Sequence, residues 1–209
     1  MTAVRPLTPE ALVEVLADRI ADTAPGSRLR VLVDGAPAAR PEALADGLVD
    51  PLRLRGRAVQ RVSARDFLRP ASLRFERGRT DPDSYYEDWV DMDGLAREVL
   101  DPLEQAGSGE VLPTLWNAET DRASRAAYVP VPEGGVVVVD GTLLLGRWLP
   151  FDLTVHLHLS PAALRRRTEP ESHWTLAAHE RYAEQVDPLS AADIVVRADD
   201  PRHPALVVG

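Results

Sequence analysis

Gly135-Val136-Val137-Val138-Val139-Asp140 is an apolar run without alternation, and it limits the fold more than any other segment of this chain. A strand with one wet face alternates apolar and polar residues. A run that does not alternate is covered on both faces, as an inner strand of a parallel sheet is. Four other segments read as strands: 28–34 (RLRVLVD), 57–63 (RAVQRVS), 151–159 (FDLTVHLHL) and 192–197 (ADIVVR). Between them the spacing turns helical. Thr8-Pro9-Glu10 supplies an N-cap with Pro at the first helical position, and Leu12, Val13, Val15, Leu16 and Ile20 follow as an apolar stripe, so a helix is expected over about 8–22. Pro41-Glu42 opens a helix to about Leu48, residues 92–104 suggest another, and 161–168 and 171–186 read as two more. Strands alternating with helices imply an α/β fold, a parallel sheet flanked by helices on both faces. No long polar linker divides the 209 residues, so a single domain is expected.

Ligands of such sheets bind beyond the carboxyl ends of the strands. Three of those ends carry suggestive residues: Asp34-Gly35, Ser63 to Asp66, and Asp140-Gly141. Residues 64–90 are rich in Arg, Asp, Pro and Tyr without a period and read as a long functional loop with short helical pieces. Residues 107–134 are broken by Gly and Pro and suggest a hairpin. The chain has no cysteine, which excludes disulfides, thiolate zinc sites and cysteine nucleophiles. All 24 basic residues other than His are Arg, so no lysine is present to serve a phosphate loop or a Schiff base. A net charge of −9 argues against nucleic acid as a partner, since phosphate backbones demand a basic face. The longest apolar stretches are strand-sized and no leader pattern is visible, so neither a membrane partner nor export is expected, and the cytoplasm is the expected location.

A phosphate-binding loop is a strand, then G-x-x-x-x-G-K-S/T, then a helix. Its glycines let backbone N–H groups form a nest for phosphate oxygens, its Lys neutralises the outer phosphates, and its hydroxyl holds Mg²⁺. Here that place reads Gly35-Ala36-Pro37-Ala38-Ala39-Arg40-Pro41-Glu42. Gly35 and the strand–loop–helix context are present, but Arg40 stands at the second Gly, Pro41 at the Lys and Glu42 at the hydroxyl position. Pro41 has neither N–H nor charge, Arg40 is ill suited to a glycine conformation, and Glu42 puts a carboxylate where phosphate would sit. Glu42 could also fold into the phosphate site as an internal plug.

Several segments in order resemble the uridine-kinase-like proteins, especially the short actinobacterial ones, over about residues 28–200. Arg30 to Gly35 resembles the strand entering the phosphate loop, Arg61-Val62-Ser63-Ala64-Arg65-Asp66-Phe67 the V-S-x-D-D-F stretch, and Arg77 to Tyr86 the R-G-R-D-x-P-E-G-F/Y segment. Val137 to Gly141 resembles the Walker B strand, and Phe151-Asp152-Leu153 with Arg165, Arg166 and Arg167 resembles the approach to a lid, here about 161–187. The resemblance implies a P-loop kinase-like fold, MgATP, and phosphoryl transfer to a nucleoside hydroxyl, with Mg²⁺ held through Asp140. It also implies a catalytic base at the first Asp of the V-S-x-D-D-F stretch. That position is Arg65, which cannot accept a proton, so Asp66 is the surviving candidate. Thr80 stands where an Asp would hold sugar hydroxyls, with Asp81 one residue away, and Leu112 to Asn117 replace the substrate-side aromatic and His segment.

Other groups have plainer readings beside these. Three consecutive arginines at 165–167 point in different directions, so at most two converge on a phosphate. His156 and His158 lie on one side of a strand, which reads as a half-exposed face rather than a metal site because no third ligand is placed. Tyr85, Tyr86 and Trp89 suit stacking on a base or packing of the loop. The leading expectation is a uridine-kinase-like protein with a degenerate Walker A loop, its ATP phosphotransfer lost or strongly impaired, keeping a cleft for a nucleoside- or nucleotide-type ligand. The alternatives are an active nucleoside or small-molecule kinase in which Arg40 replaces the Lys, and a non-catalytic partner protein acting through another protein or a second copy.

Overall fold

The computed structural model describes residues 3–208. Seven strands form one sheet: β1 (Ala3–Pro6), β2 (Leu29–Gly35), β3 (Val59–Ser63), β4 (Val136–Gly141), β5 (Leu153–His158), β6 (Ile194–Arg197) and β7 (Ala205–Val208). Their order across the sheet is β1-β7-β6-β5-β2-β4-β3. The five strands from β6 to β3 run parallel, as the sequence implied, with Val31 beside Val138 and Leu153. The antiparallel pair β1–β7, in register from Ala3↔Val208 to Pro6↔Ala205, extends one edge. That pair has no local signal, because each strand is four residues long and its partner lies at the far end of the chain.

Val136 to Val139 are all completely buried. Side chains alternate across the sheet, so Val136 and Val138 join Val31, Val33 and Val155 on one face. There they meet Leu12, Leu16 and Ile20 of α1 (Pro9–Asp22), with Leu48 at the junction of the turns α2 (Pro41–Gly47) and α3 (Val49–Leu54) and Leu52 of α3. Val137 and Val139 face the other way onto Phe67, Leu95, Val99 and Leu100. Burying each of these aliphatic side chains contributes about 1.5–3 kcal/mol, so the four-valine strand is held from both sides. Thr8 caps α1, its Oγ1 accepting the Ala11 N–H at 3.2 Å.

Other elements depart from the sequence reading. The helix expected at 92–104 is a helical turn (Met92–Leu95), then a π turn (Ala96–Leu100), then a 3₁₀ turn (Asp101–Leu103). Pro102 has no N–H and its ring crowds the carbonyl of Glu98, which instead accepts the Leu112 N–H at 2.9 Å. The loop at 64–90 carries α4 (Pro82–Glu87), and two short ladders, Glu110–Val111 with Val129–Pro130 and Trp116–Asn117 with Arg122–Ala123, stand at the expected hairpin. After β5 come α5 (Pro161–Arg167), a 3₁₀ stretch (Pro170–Thr175) and α6 (Leu176–Val186). Among the described residues no helix is long and apolar enough to cross a membrane.

Candidate functional site

The carboxyl ends of the parallel strands open into two cavities that meet at Thr142, just beyond β4. The first, of about 410 Å³, lies over β2, β4 and β3. It brings together Gly35 at the end of β2, Pro41 and Glu42 at the start of α2, Arg65 of the turn after β3, Asp140 of β4, and the Tyr85, Tyr86 and Trp89 wall. The second, of about 520 Å³, lies over β5 and beneath α5 and α6.

The loop after β2 does not form an open nest. Pro37–Ala39 make a 3₁₀ turn, with the Ala39 N–H donating to the Ala36 carbonyl at 2.7 Å and the Arg40 N–H to the Pro37 carbonyl at 3.0 Å. Pro37 and Pro41 have no N–H to offer. Arg40 takes up the left-handed conformation that its side chain disfavours, φ 61° and ψ 55°, at a cost of about 1–2 kcal/mol. Its side chain is 71% exposed and its Nε lies 3.7 Å from Glu42 Oε1. Glu42 is half exposed, turned to Arg40, so the internal plug considered from the sequence is not formed.

Asp140 is almost fully buried and both its oxygens are engaged. Arg61 Nη2 donates to Oδ1 at 2.8 Å and Ser63 Oγ donates to Oδ2 at 3.1 Å. The register Ser63↔Asp140 on neighbouring strands makes this contact unavoidable. Arg61 also reaches Asp46 at 2.9 Å and the Val138 carbonyl at 2.9 Å. A cation therefore already occupies the Asp140 carboxylate, and the residues present do not fit Mg²⁺ there.

Arg65 lines the first cavity and is exposed, whereas Asp66 lines neither cavity. Burial raises the Asp66 carboxyl above its ordinary range and the Asp140 charge adds to this, while Arg65 and Arg61 oppose it. Asp81 also lines neither cavity; it caps α4, Oδ1 accepting the Ser84 N–H at 2.7 Å. Tyr85 and Tyr86 do face the first cavity, and burial pushes the Tyr85 hydroxyl up to about 12. Tyr85 meets Trp89 edge-on at 4.9 Å, and Arg147 and Arg181 lie over the Tyr86 ring at 4.2 and 4.7 Å. Of the three lid arginines only Arg165 lines a cavity, the second one; Arg167 donates to the Ala198 carbonyl at 2.7 Å, and Arg166 lines neither.

The sequence reading marked Asp34 as the end of a strand but did not foresee the buried polar cluster that it forms with His156 and Tyr182. Asp34 is fully buried; its Oδ2 accepts from His156 Nδ1 at 2.7 Å and from the Tyr182 hydroxyl at 3.1 Å, and its Oδ1 accepts the Leu144 N–H at 3.0 Å. The Tyr182 hydroxyl in turn accepts the Leu145 N–H at 2.9 Å. His156 is thus 7% exposed, not on a half-exposed face, because α6 covers the carboxyl end of β5. No metal-binding cluster of His, Cys, Asp or Glu is present among the described residues. The signal available in the sequence was Asp34 itself, a charge closing an apolar strand; its partners lie more than a hundred residues away.

No protein-family model matches the chain and no curated protein matches it. Solved structures do. A possible uridine kinase from Bacillus stearothermophilus superposes with a TM-score of 0.71 at 23% identity, covering 88% of this chain and 96% of that one. A putative fructose transport system kinase from Silicibacter sp. TM1040 superposes with a TM-score of 0.57 at 24% identity, covering 89% and 92%. The mostly parallel sheet flanked by helices, read first from the valine run, is the α/β architecture of these P-loop kinase structures, and this chain shares their fold.

Proposed function

We propose that the protein is a uridine-kinase-like scaffold in which ATP phosphotransfer is lost or strongly impaired, and which keeps its first cavity for a nucleoside- or nucleotide-type ligand. The loop after β2 carries the reading: the N–H groups of Ala39 and Arg40 are spent within its own turn, and two prolines offer none. Losing one charge-assisted donor to a transferring phosphoryl group costs about 3–4 kcal/mol of catalysis, and here the Lys, the Ser/Thr hydroxyl and the nest are missing together. The Arg61–Asp140 pair at 2.8 Å and the cation Arg65 in place of a base support the same conclusion. The Tyr85, Tyr86 and Trp89 wall of a cavity of about 410 Å³ suits a planar ring, which supports retention of a ligand.

The test is thermal unfolding with MgATP, MgGTP, ADP and a nucleoside panel at millimolar concentration, followed by a phosphotransfer assay. A ligand at about 100 times its Kd adds roughly 2.7 kcal/mol and raises Tm visibly. The expected result is a rise with nucleosides and none with MgATP, with no turnover. Robust turnover with MgATP that Arg40→Ala abolishes would overturn the proposal in favour of an active kinase.

A further inference from the structure

The second cavity is built from a different chemistry. Its wall is apolar, with Leu157, Leu159, Leu164, Leu176 and Pro188. Three imidazoles enter it, from His156, His158 and His179. His179 is 8% exposed and makes no hydrogen bond among the described residues, nor does the ring of His158. Burial lowers His179 to about 4 against the partial opposition of Asp34, and lowers His158 as well, so both rings are neutral at pH 7. A neutral imidazole carries a lone pair on one nitrogen. His156 is held by its Nδ1, 2.7 Å from Asp34 Oδ2. The cavity therefore presents the unpaired ring of the buried His179 beside that of the half-buried His158, and a buried polar group without a partner is costly.

The rim is acidic. Glu180 and Glu184, one turn apart on α6, and Asp187 just beyond it line the cavity, against the single cation Arg165. Neither Glu180 nor Glu184 forms an ion pair among the described residues. A polyphosphate would bring negative charge to this rim, while a protonated amine would meet three carboxylates and the imidazole lone pairs.

We propose that the second cavity binds an organic cation, a small molecule with an apolar or aromatic body and a protonated amine. The body occupies the leucine-lined wall, and the ammonium donates to the imidazoles and faces Glu180 and Glu184. This site shares only Thr142 with the first cavity and does not depend on whether phosphotransfer survives.

Two probes test it, tryptamine and indole-3-propionate, which share a ring and chain and differ in the sign of the terminal charge. Calorimetric titration of the full chain should show saturable tryptamine binding and at least about tenfold weaker binding of the carboxylate. The double variant Glu180→Gln/Glu184→Gln removes two exposed charges and leaves the fold intact; it should weaken tryptamine about tenfold, as expected for two partly exposed charge pairs. Arg65→Ala, in the other cavity, should leave tryptamine affinity unchanged. Equal binding of both probes, no saturable tryptamine binding, indifference to the double variant, or sensitivity to Arg65→Ala would each overturn the proposal.

Discussion

His179 shows how a single residue records its surroundings. Its ordinary pKa is near 6.5, and burial on the inner face of α6 takes it to about 4. The unfolded chain binds a proton near 6.5 and the folded chain does not until about 4. Between these values the unfolded state holds more protons, so stability is full above pH 6.5 and falls as the pH drops towards 4. The loss attributable to this residue approaches about 3 kcal/mol at the acid end. Urea unfolding at pH 7.5 and 4.5 should show it, and His179→Gln should have a shallower pH dependence than the parent chain. An identical dependence would assign the acid loss to other groups.

At the scale of elements, α6 is held over the sheet by polar contacts as well as packing. Tyr182 joins α6 to β2 through Asp34 and to the loop after β4 through the Leu145 N–H. Tyr182→Phe keeps the ring in its apolar surroundings but leaves a buried carboxylate oxygen and an amide each short of a partner. A cost of about 1–3 kcal/mol is expected in urea unfolding. Hydrogen exchange at Leu145 and along α6 should accelerate more than in β4, and uniform acceleration would show that the hydroxyl is not a local fastening. The loop after β2 is the counterpart at the other cavity: Pro37 and Pro41 frame a turn that takes up the Ala39 and Arg40 N–H groups, and the left-handed Arg40 is the strain that closure costs.

Across the whole molecule Arg61 is the joint. It links β3 to Asp140 and the Val138 carbonyl of β4 and to Asp46 of α2, so the floor of the first cavity and the helix behind it are tied through one guanidinium. Arg61→Ala leaves the Asp140 carboxylate buried with Ser63 alone, and a loss of about 3 kcal/mol in global stability is expected. Urea unfolding monitored by both tryptophan fluorescence and circular dichroism should stay a single transition at a lower midpoint. A loss below about 0.5 kcal/mol, the range of a surface pair, would mean that water already shields Asp140.

The local pattern by itself determined the parallel sheet, the covering helices and the altered loop: an unbroken valine run needs cover on both faces, and Pro41 has no N–H wherever it is placed. Period and covalent chemistry are local, and a sequence displays both. Tertiary structure decided what the pattern leaves open. It buried His156 under α6 and His179 on the inner face of that helix, set Arg61 against Asp140, used Asp81 as a helix cap, left Glu42 beside Arg40 and paired Ala3–Pro6 with Ala205–Val208. Each of these depends on residues brought together by the closing of long loops, and the identity of a side chain does not state which distant group will neutralise it or shield it from water.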